Sequence, residues 1–247
     1  LKNNNKKKEL FSFDISFNQK IIIYSLKSNK ISFTLEENKH LTKVLRKKIN
    51  DHISIIDGNG FLYTGKIINL NKNLSEVEII NKEKKDKSHN YYLHIAISPT
   101  KNASRFEWFL EKATEIGIDE ITPIICHRSE RQKINKDRSE RILISSIKQS
   151  LKFHLPKLND PISYNDFIKQ KINGDKFIAH CLETKKEKLS NSINKICTIL
   201  IGPEGDFTEE EINLAKDHGY KPLSFGSSRL RTETAGIVAT HSVNLYF

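Results

Sequence analysis

The chain has 247 residues, 37% of them hydrophobic and 29% charged, which are the proportions of a folded globular protein and exclude a disordered or fibrous one. No apolar run approaches the roughly 20 residues needed to cross a bilayer, so no membrane segment is expected. The formal net charge of +11 points to a polyanionic partner. The skew of 33 lysines against 8 arginines makes the total less informative than its distribution. Residues 1–90 carry 18 basic and 10 acidic side chains, and residues 91–247 carry 23 and 20, so the excess positive charge sits mainly in the N-terminal third.

Residues 1–20 are rich in Lys and Asn at first and read as a solvated basic tail. Methionine is absent even at position 1, which places the translated start elsewhere. Ile21–Tyr24 is too short for the core of a signal peptide. Residues 21–87 are expected to form a small β-barrel. The strands are Ile31–Leu35, His52–Ile56, Phe61–Ile68 and Ser75–Ile80, separated by the turn signals Asp57-Gly58-Asn59-Gly60 and Asn69–Asn73. Glu36–Lys48 is expected to be a short helix with Leu41, Val44 and Leu45 on one face; Lys39, Lys43, Arg46, Lys47 and Lys48 fall largely elsewhere, on either an ordinary solvated face or a phosphate-tracking surface. Lys82–Lys87 reads as a charged linker.

Strand and helix alternate from residue 88 to 247, the pattern of an α/β domain with a mainly parallel sheet. Tyr91–Ile97 is the first strand. A capping box at Ser104 and Glu107 is expected to open a helix that carries Phe106, Phe109, Leu110, Ala113 and Ile116 inward and stops at Gly117. Trp108 falls off that stripe. Ile121–Cys126 is a strand, Asp137–Leu151 a helix, and Lys176–Leu182 and Cys197–Ile201 two further strands. Thr208 and Glu211 form a capping box, Gly219 ends that helix, and Thr232 is the expected cap of the last one.

Cys126, Cys181 and Cys197 contain no C-x-x-C pair and are odd in number. They suggest neither a zinc site nor a disulfide framework; three buried apolar cysteines and a reducing, cytoplasmic setting are expected, with no metal. The chain has neither G-x-G-x-x-G nor G-x-x-x-x-G-K-[ST], which speaks against dinucleotides and nucleoside triphosphates. The Gly202-Pro203-Glu204-Gly205 turn follows a buried strand and precedes a helix start bearing Asp206, Glu209, Glu210 and Glu211. Those acids oppose a phosphate and suit a cationic or neutral small molecule held by backbone groups.

GPEGDF, then TEEE, then SFGSSRLRTETAG, resemble the C-terminal signature of the 16S ribosomal RNA uridine-N3 methyltransferases (RsmE-type) of the SPOUT superfamily. The resemblance extends to Lys101–Ser129, Lys148–Leu158 and His40–Gly58, in family order. It implies a PUA-like RNA-binding barrel at 21–87 and a trefoil-knotted, S-adenosylmethionine-binding domain at 88–247. It implies a homodimer acting on 16S rRNA within the small ribosomal subunit. By position it implies donor contacts at Cys181, Leu182, Ile201, Gly202, Pro203, Glu204, Gly205, Phe225, Gly226, Leu230 and Thr232, and RNA contacts at Arg46, Lys101, Arg105 and Arg128. Asp206 stands where many members have Gly, and Lys152 where many have Arg.

Uridine N3 carries a proton that must leave before or during attack on the methyl group, so a base or a stabiliser of the anion is required. Arg231 cannot be a base and suits the anion; Glu233 is the candidate base. Two other functions remain open: methylation of another RNA such as transfer RNA, and a non-catalytic role as an RNA-binding ribosome-assembly factor.

Overall fold

A computed structural model describes residues 21–22, 29–33, 38–71, 75–189 and 193–247. The basic tail expected over residues 1–20 lies outside them. Contacts divide the chain into two compact units: one formed by the residues up to Lys87 together with Lys148–His154, the other by Ser88–Ile147 and Leu155–Phe247.

The first unit is a five-stranded sheet. Its strands are β1 (Ile21–Ile22), β2 (Lys30–Ser32), β3 (His52–Ile56), β4 (Phe61–Leu70) and β5 (Ser75–Lys84), in the order β1-β3-β4-β5-β2. All neighbours are antiparallel except β1 and β3. Alternation along the strands turns Ile53, Ile55, Tyr63, Ile67 and Val77 into one core with Ile31, Phe33 and Leu41. The turn between β3 and β4 is closed by Asp57, whose Oδ1 accepts the backbone N–H groups of Asn59 (2.8 Å) and Phe61 (3.1 Å). Gly65 marks a bulge, because a Cβ there would stand 2.3 Å from the Val77 side chain.

Two expectations for this unit are corrected. Of the helix expected over 36–48, the described part is helical from Asn38 and passes into a π-type turn, His40–Val44, where it stops; residues 36 and 37 lie outside the described residues. Arg46 ends it with a left-handed φ of 49°, and Lys47 N–H returns to the Leu41 carbonyl at 3.1 Å. Asn38 pulls the segment aside: its amide donates to the Asn71 carbonyl (3.0 Å), and its side-chain oxygen accepts from Ser75. The linker expected at Lys82–Lys87 is still strand up to Lys84, because cross-strand pairing with Phe61 continues past the apolar residues.

The second unit contains β6 (Tyr92–Ile97), α1 (Ala103–Ile116), β7 (Glu120–Ile125), α2 (Lys136–Gln149), β8 (Lys157–Leu158), β9 (Ile162–Ser163), α3 (Tyr164–Ile168), β10 (Asp175–Ala179), β11 (Ile196–Ile201), α4 (Glu209–Asp217), β12 (Lys221–Leu223) and α5 (Thr232–Tyr246). The sheet is parallel throughout, in the order β12-β10-β11-β6-β7-β8, with β9 also pairing β7. Ile95, Ile97, Ile199 and Ile201 belong to a layer with Phe109, Leu110, Leu143 and Val243, while Ala96, Leu200, Ile178 and Ile124 belong to a second with Phe167, Phe207, Ile212 and Tyr220. A sheet covered on both faces explains the unbroken apolar runs.

Here too some ends differ from expectation. The cap of α1 is Asn102, whose side-chain oxygen accepts the Ser104 N–H at 3.0 Å. Glu107 turns away to grip the Arg138 guanidinium at 2.6 and 2.9 Å. Phe106 is buried and Trp108 is exposed, as the stripe requires. The helix α2 stops at Gln149, since Leu151 has a φ of 58°. The strand expected over 176–182 stops at Ala179, so His180 and Cys181 lie past its end. Among the described residues, no helix is long and apolar enough to cross a membrane.

Candidate active site

The strand order reverses between the neighbours β6 and β11: from β6 the chain moves one way to β7 and β8, and from β11 it moves the other way, past β10, to β12. Ligands of open parallel sheets bind outside the carboxyl ends of strands near such a point. A cavity of about 410 Å³ opens there, walled by the ends of β10, β11 and β12, the loop 224–231 and the start of α5. Small-molecule sites span roughly 300–1,000 Å³.

Local chemistry fixes each wall. The loop after β11 turns at Gly202, where a Cβ would lie 3.0 Å from the Phe207 ring. The Thr232 hydroxyl donates to the Gly202 carbonyl at 3.0 Å. This replaces the capping role expected of Thr232: α5 begins after Arg231 with no side-chain cap, and the hydroxyl instead ties the last helix to the β11 loop. Glu204 Oε1 accepts the Lys101 N–H at 2.9 Å, joining the loops after β6 and β11. Asp206 adopts a left-handed φ of 63°, the conformation glycine takes most easily. Its Oδ2 accepts the Cys181 N–H at 2.7 Å and its Oδ1 the Phe207 N–H at 2.9 Å. The carboxylate thus fastens β10 to β11 at a position where a glycine offers no side chain.

The structure brings Cys181, Ile201, Gly202, Pro203 and Glu204 to the cavity from one side, and Phe225, Gly226, Leu230 and Thr232 from the other. Leu182 packs into the second core layer. Gly205 instead lies against the Arg128 side chain, whose guanidinium donates to the Gly205 carbonyl at 2.8 Å. Arg231 lines the cavity. Glu233 is 6% exposed, its Oε2 has no hydrogen-bond partner among the described residues, and Arg105 Nε stands 3.8 Å from its Oε1. Lys101 is exposed and paired with Glu130 at 2.7 Å. Arg46 is exposed on the first unit.

Several lining residues were not among the expected contacts: His180 and Lys186, which carried no motif, and Asp206 and Arg229, which lie inside the signature segments. His180 is 7% exposed, and neither ring nitrogen has a partner among the described residues. Burial, and then the charge of Lys186, lower its pKa to about 4, with Asp206 pulling the other way. Cys126 and Cys197 are buried as expected, whereas Cys181 is exposed, because β10 ends two residues before it. Burial, and then the Asp206 charge, raise the Cys181 thiol pKa. The acids at the start of α4 are partly committed. Glu211 completes the capping box with Thr208 and also accepts the His127 N–H at 2.7 Å. Among the described residues, no group of three or more His, Cys, Asp or Glu could hold a metal ion.

A family model described as an RNA methyltransferase domain matches residues 86–244, and one described as an RNA methyltransferase PUA domain matches residues 33–80. The chain is 30% identical over 227 residues to the ribosomal RNA small subunit methyltransferase E of Buchnera aphidicola subsp. Acyrthosiphon pisum, covering 89% of each chain. The crystal structure of a probable rRNA-methyltransferase from Porphyromonas gingivalis matches with a TM-score of 0.86 at 34% identity, covering 92% of this chain and 98% of that one. The corresponding figures for the ribosomal RNA small subunit methyltransferase E of Neisseria gonorrhoeae bound to S-adenosyl methionine are 0.82, 25%, 92% and 97%. Fold and family models therefore define an RNA methyltransferase of the SPOUT class, joined to a PUA domain. The chain belongs to the ribosomal RNA small subunit methyltransferase E family.

Proposed function

We propose that the chain methylates N3 of a uridine in 16S rRNA within the small ribosomal subunit, acting as a cytoplasmic homodimer. Residues 21–87 would serve as the RNA-binding PUA-like domain and residues 88–247 as the catalytic domain. The last helix would be threaded as in a trefoil knot.

The observation that carries the reading is the cavity at the ends of β10, β11 and β12. It fits the donor by size, by its mixture of apolar side chains and backbone groups, and by two buried polar groups without partners, Glu204 Oε2 and the His180 ring. Cys181, Ile201–Gly205, Phe225, Gly226, Leu230 and Thr232 would surround it, with Leu182 and Gly205 acting from behind the wall. When bound, the donor supplies an electrophilic methyl carbon. The protein's own work is positioning and proton handling. Glu233 takes the N3 proton through its unpartnered Oε2, and Arg105 steadies the carboxylate. Arg231, a permanent cation in the cavity wall, stabilises the uracil anion. Arg46, Lys101, Arg105 and Arg128 would meet the RNA, Arg46 and Lys101 from exposed positions.

A tritiated-methyl transfer assay tests this. Small subunits from cells lacking the modification are expected to accept label as N3-methyluridine in 16S RNA, identified by nucleoside mass spectrometry. Label appearing only in transfer RNA, or RNA binding with neither transfer nor donor binding, would overturn it.

A further inference from the structure

His180 stands out as a buried, titratable group that the mechanism above does not use. It follows the last residue of β10, is 7% exposed, and contributes to the wall of the cavity. Nδ1 and Nε2 are both shielded and both without a hydrogen-bond partner among the described residues. Buried polar groups are nearly always paired, because leaving one unmade costs more than the bond returns. An imidazole in the cavity wall with both hydrogen-bonding positions unmade therefore calls for partners that the described residues do not supply. Its backbone neighbourhood is fixed independently: Asp206 holds the Cys181 N–H, so the ring is presented by a tethered residue rather than by a loose loop.

The chemistry of the missing partner follows from charge. Lys186 lines the same cavity and Lys216 also acts on the ring, while Asp206 opposes them. This setting keeps the ring neutral, with one donor and one acceptor. A neutral donor–acceptor pair fits a group that itself accepts and donates, as the ribose hydroxyls and the adenine edge do. The charged ammonium and carboxylate of an amino-acid tail are served better by the carboxylate of Glu204 and by the cation Arg229 in the same wall.

We propose that His180 is a specificity-determining residue of this cavity that hydrogen-bonds the neutral nucleoside portion of the methyl donor. The inference rests on the cavity being the donor site. It gives the nucleoside to the neutral His180 ring and leaves the amino-acid tail to charged side chains of the wall.

The test is calorimetric titration of wild-type protein, His180→Leu and His180→Asn with two probes: S-adenosylhomocysteine, and 5′-methylthioadenosine, which keeps the nucleoside and lacks the amino acid. His180→Leu is expected to bind both about tenfold more weakly, as loss of a buried hydrogen-bonding group implies. His180→Asn, whose amide retains a donor and an acceptor, is expected to recover part of the loss for both. Thermal unfolding of unliganded His180→Leu should be no lower than wild type, because an unpaired polar group is being replaced by an apolar one. A loss confined to S-adenosylhomocysteine would place His180 at the amino-acid tail and overturn the proposal, as would unchanged affinity for both probes or a marked fall in unliganded stability. Failure of the wild type to bind either probe would bring down the donor-site reading itself, a result distinct from the other three.

Discussion

The two units use positive charge in different ways. In the parallel unit most of the arginines are tied down, while Arg229 and Arg231 line the cavity. Arg128 holds the Gly205 carbonyl, Arg131 the carbonyls of Thr100 and Lys101, Arg138 the Glu107 carboxylate, and Arg105 lies beside Glu233. In the sheet unit Arg46 is exposed on a left-handed turn, within the third of the chain that holds most of the excess positive charge. Tethered cations fix loops to fractions of an ångström, as chemistry requires. Exposed cations gather a polyanion with little demand on geometry, as backbone binding requires. The family's two tasks, recognition and transfer, are thus built with the same residue types under different constraint.

Breaking the constrained side should cost most. Gly202→Val would push the β11 loop away from Phe207, 3.0 Å from where even a Cβ would stand. Donor affinity is expected to fall by roughly 100-fold or more, the scale of a 1 Å misplacement. Calorimetry checks this, with circular dichroism confirming the fold. Glu233→Gln removes the proposed base and should lower kcat by about 100-fold while leaving donor affinity within a factor of a few. Single-turnover methyl transfer would show it, and an unchanged kcat would return Glu233 to a structural role.

A pH scan sharpens the contrast next. Burial depresses the His94 pKa to about 4 in the folded protein, against an ordinary 6.5. The unfolded chain therefore binds more protons between those values, and stability falls as pH drops through that window, by on the order of 3 kcal/mol at most. Glu120 is held at about 2 despite its burial, by hydrogen bonds from Tyr92, Asn159 and Lys157. Its share is present above 4.5 and is lost as pH falls toward 2. Melting temperature should thus decline in two steps, the first flattened in His94→Asn. The smallest effect belongs to the exposed side: Arg46→Ala should weaken RNA binding only a few-fold and reduce the salt slope by about one, read by filter binding across a salt series.

Much of the second unit was legible along the chain. The Thr208–Glu211 capping box, the Gly117 stop and the Phe106–Ile116 stripe depend on neighbours within one helical turn, and each stands as expected. The misread ends share another cause. Ser104 lost the cap to Asn102 because Glu107 was drawn to Arg138 on another helix, and Thr232 left the cap for the Gly202 carbonyl, 30 residues away. The helix expected over 36–48 stops early, at Val44, and its Asn38 is held by Asn71 and Ser75 at the neighbouring ends of β4 and β5, more than 30 residues away.

The sequence by itself determined the strand–helix alternation, the buried runs and the glycine turns, because each follows from periodicity or from a backbone conformation that one residue type favours. Tertiary structure alone decided that Asp206 would fasten Cys181, that His180 would stand buried without a partner, and that Leu182 and Gly205 would fall outside the wall. Those facts depend on which strand ends become neighbours in a parallel sheet, and that pairing is set by packing between residues far apart in the chain.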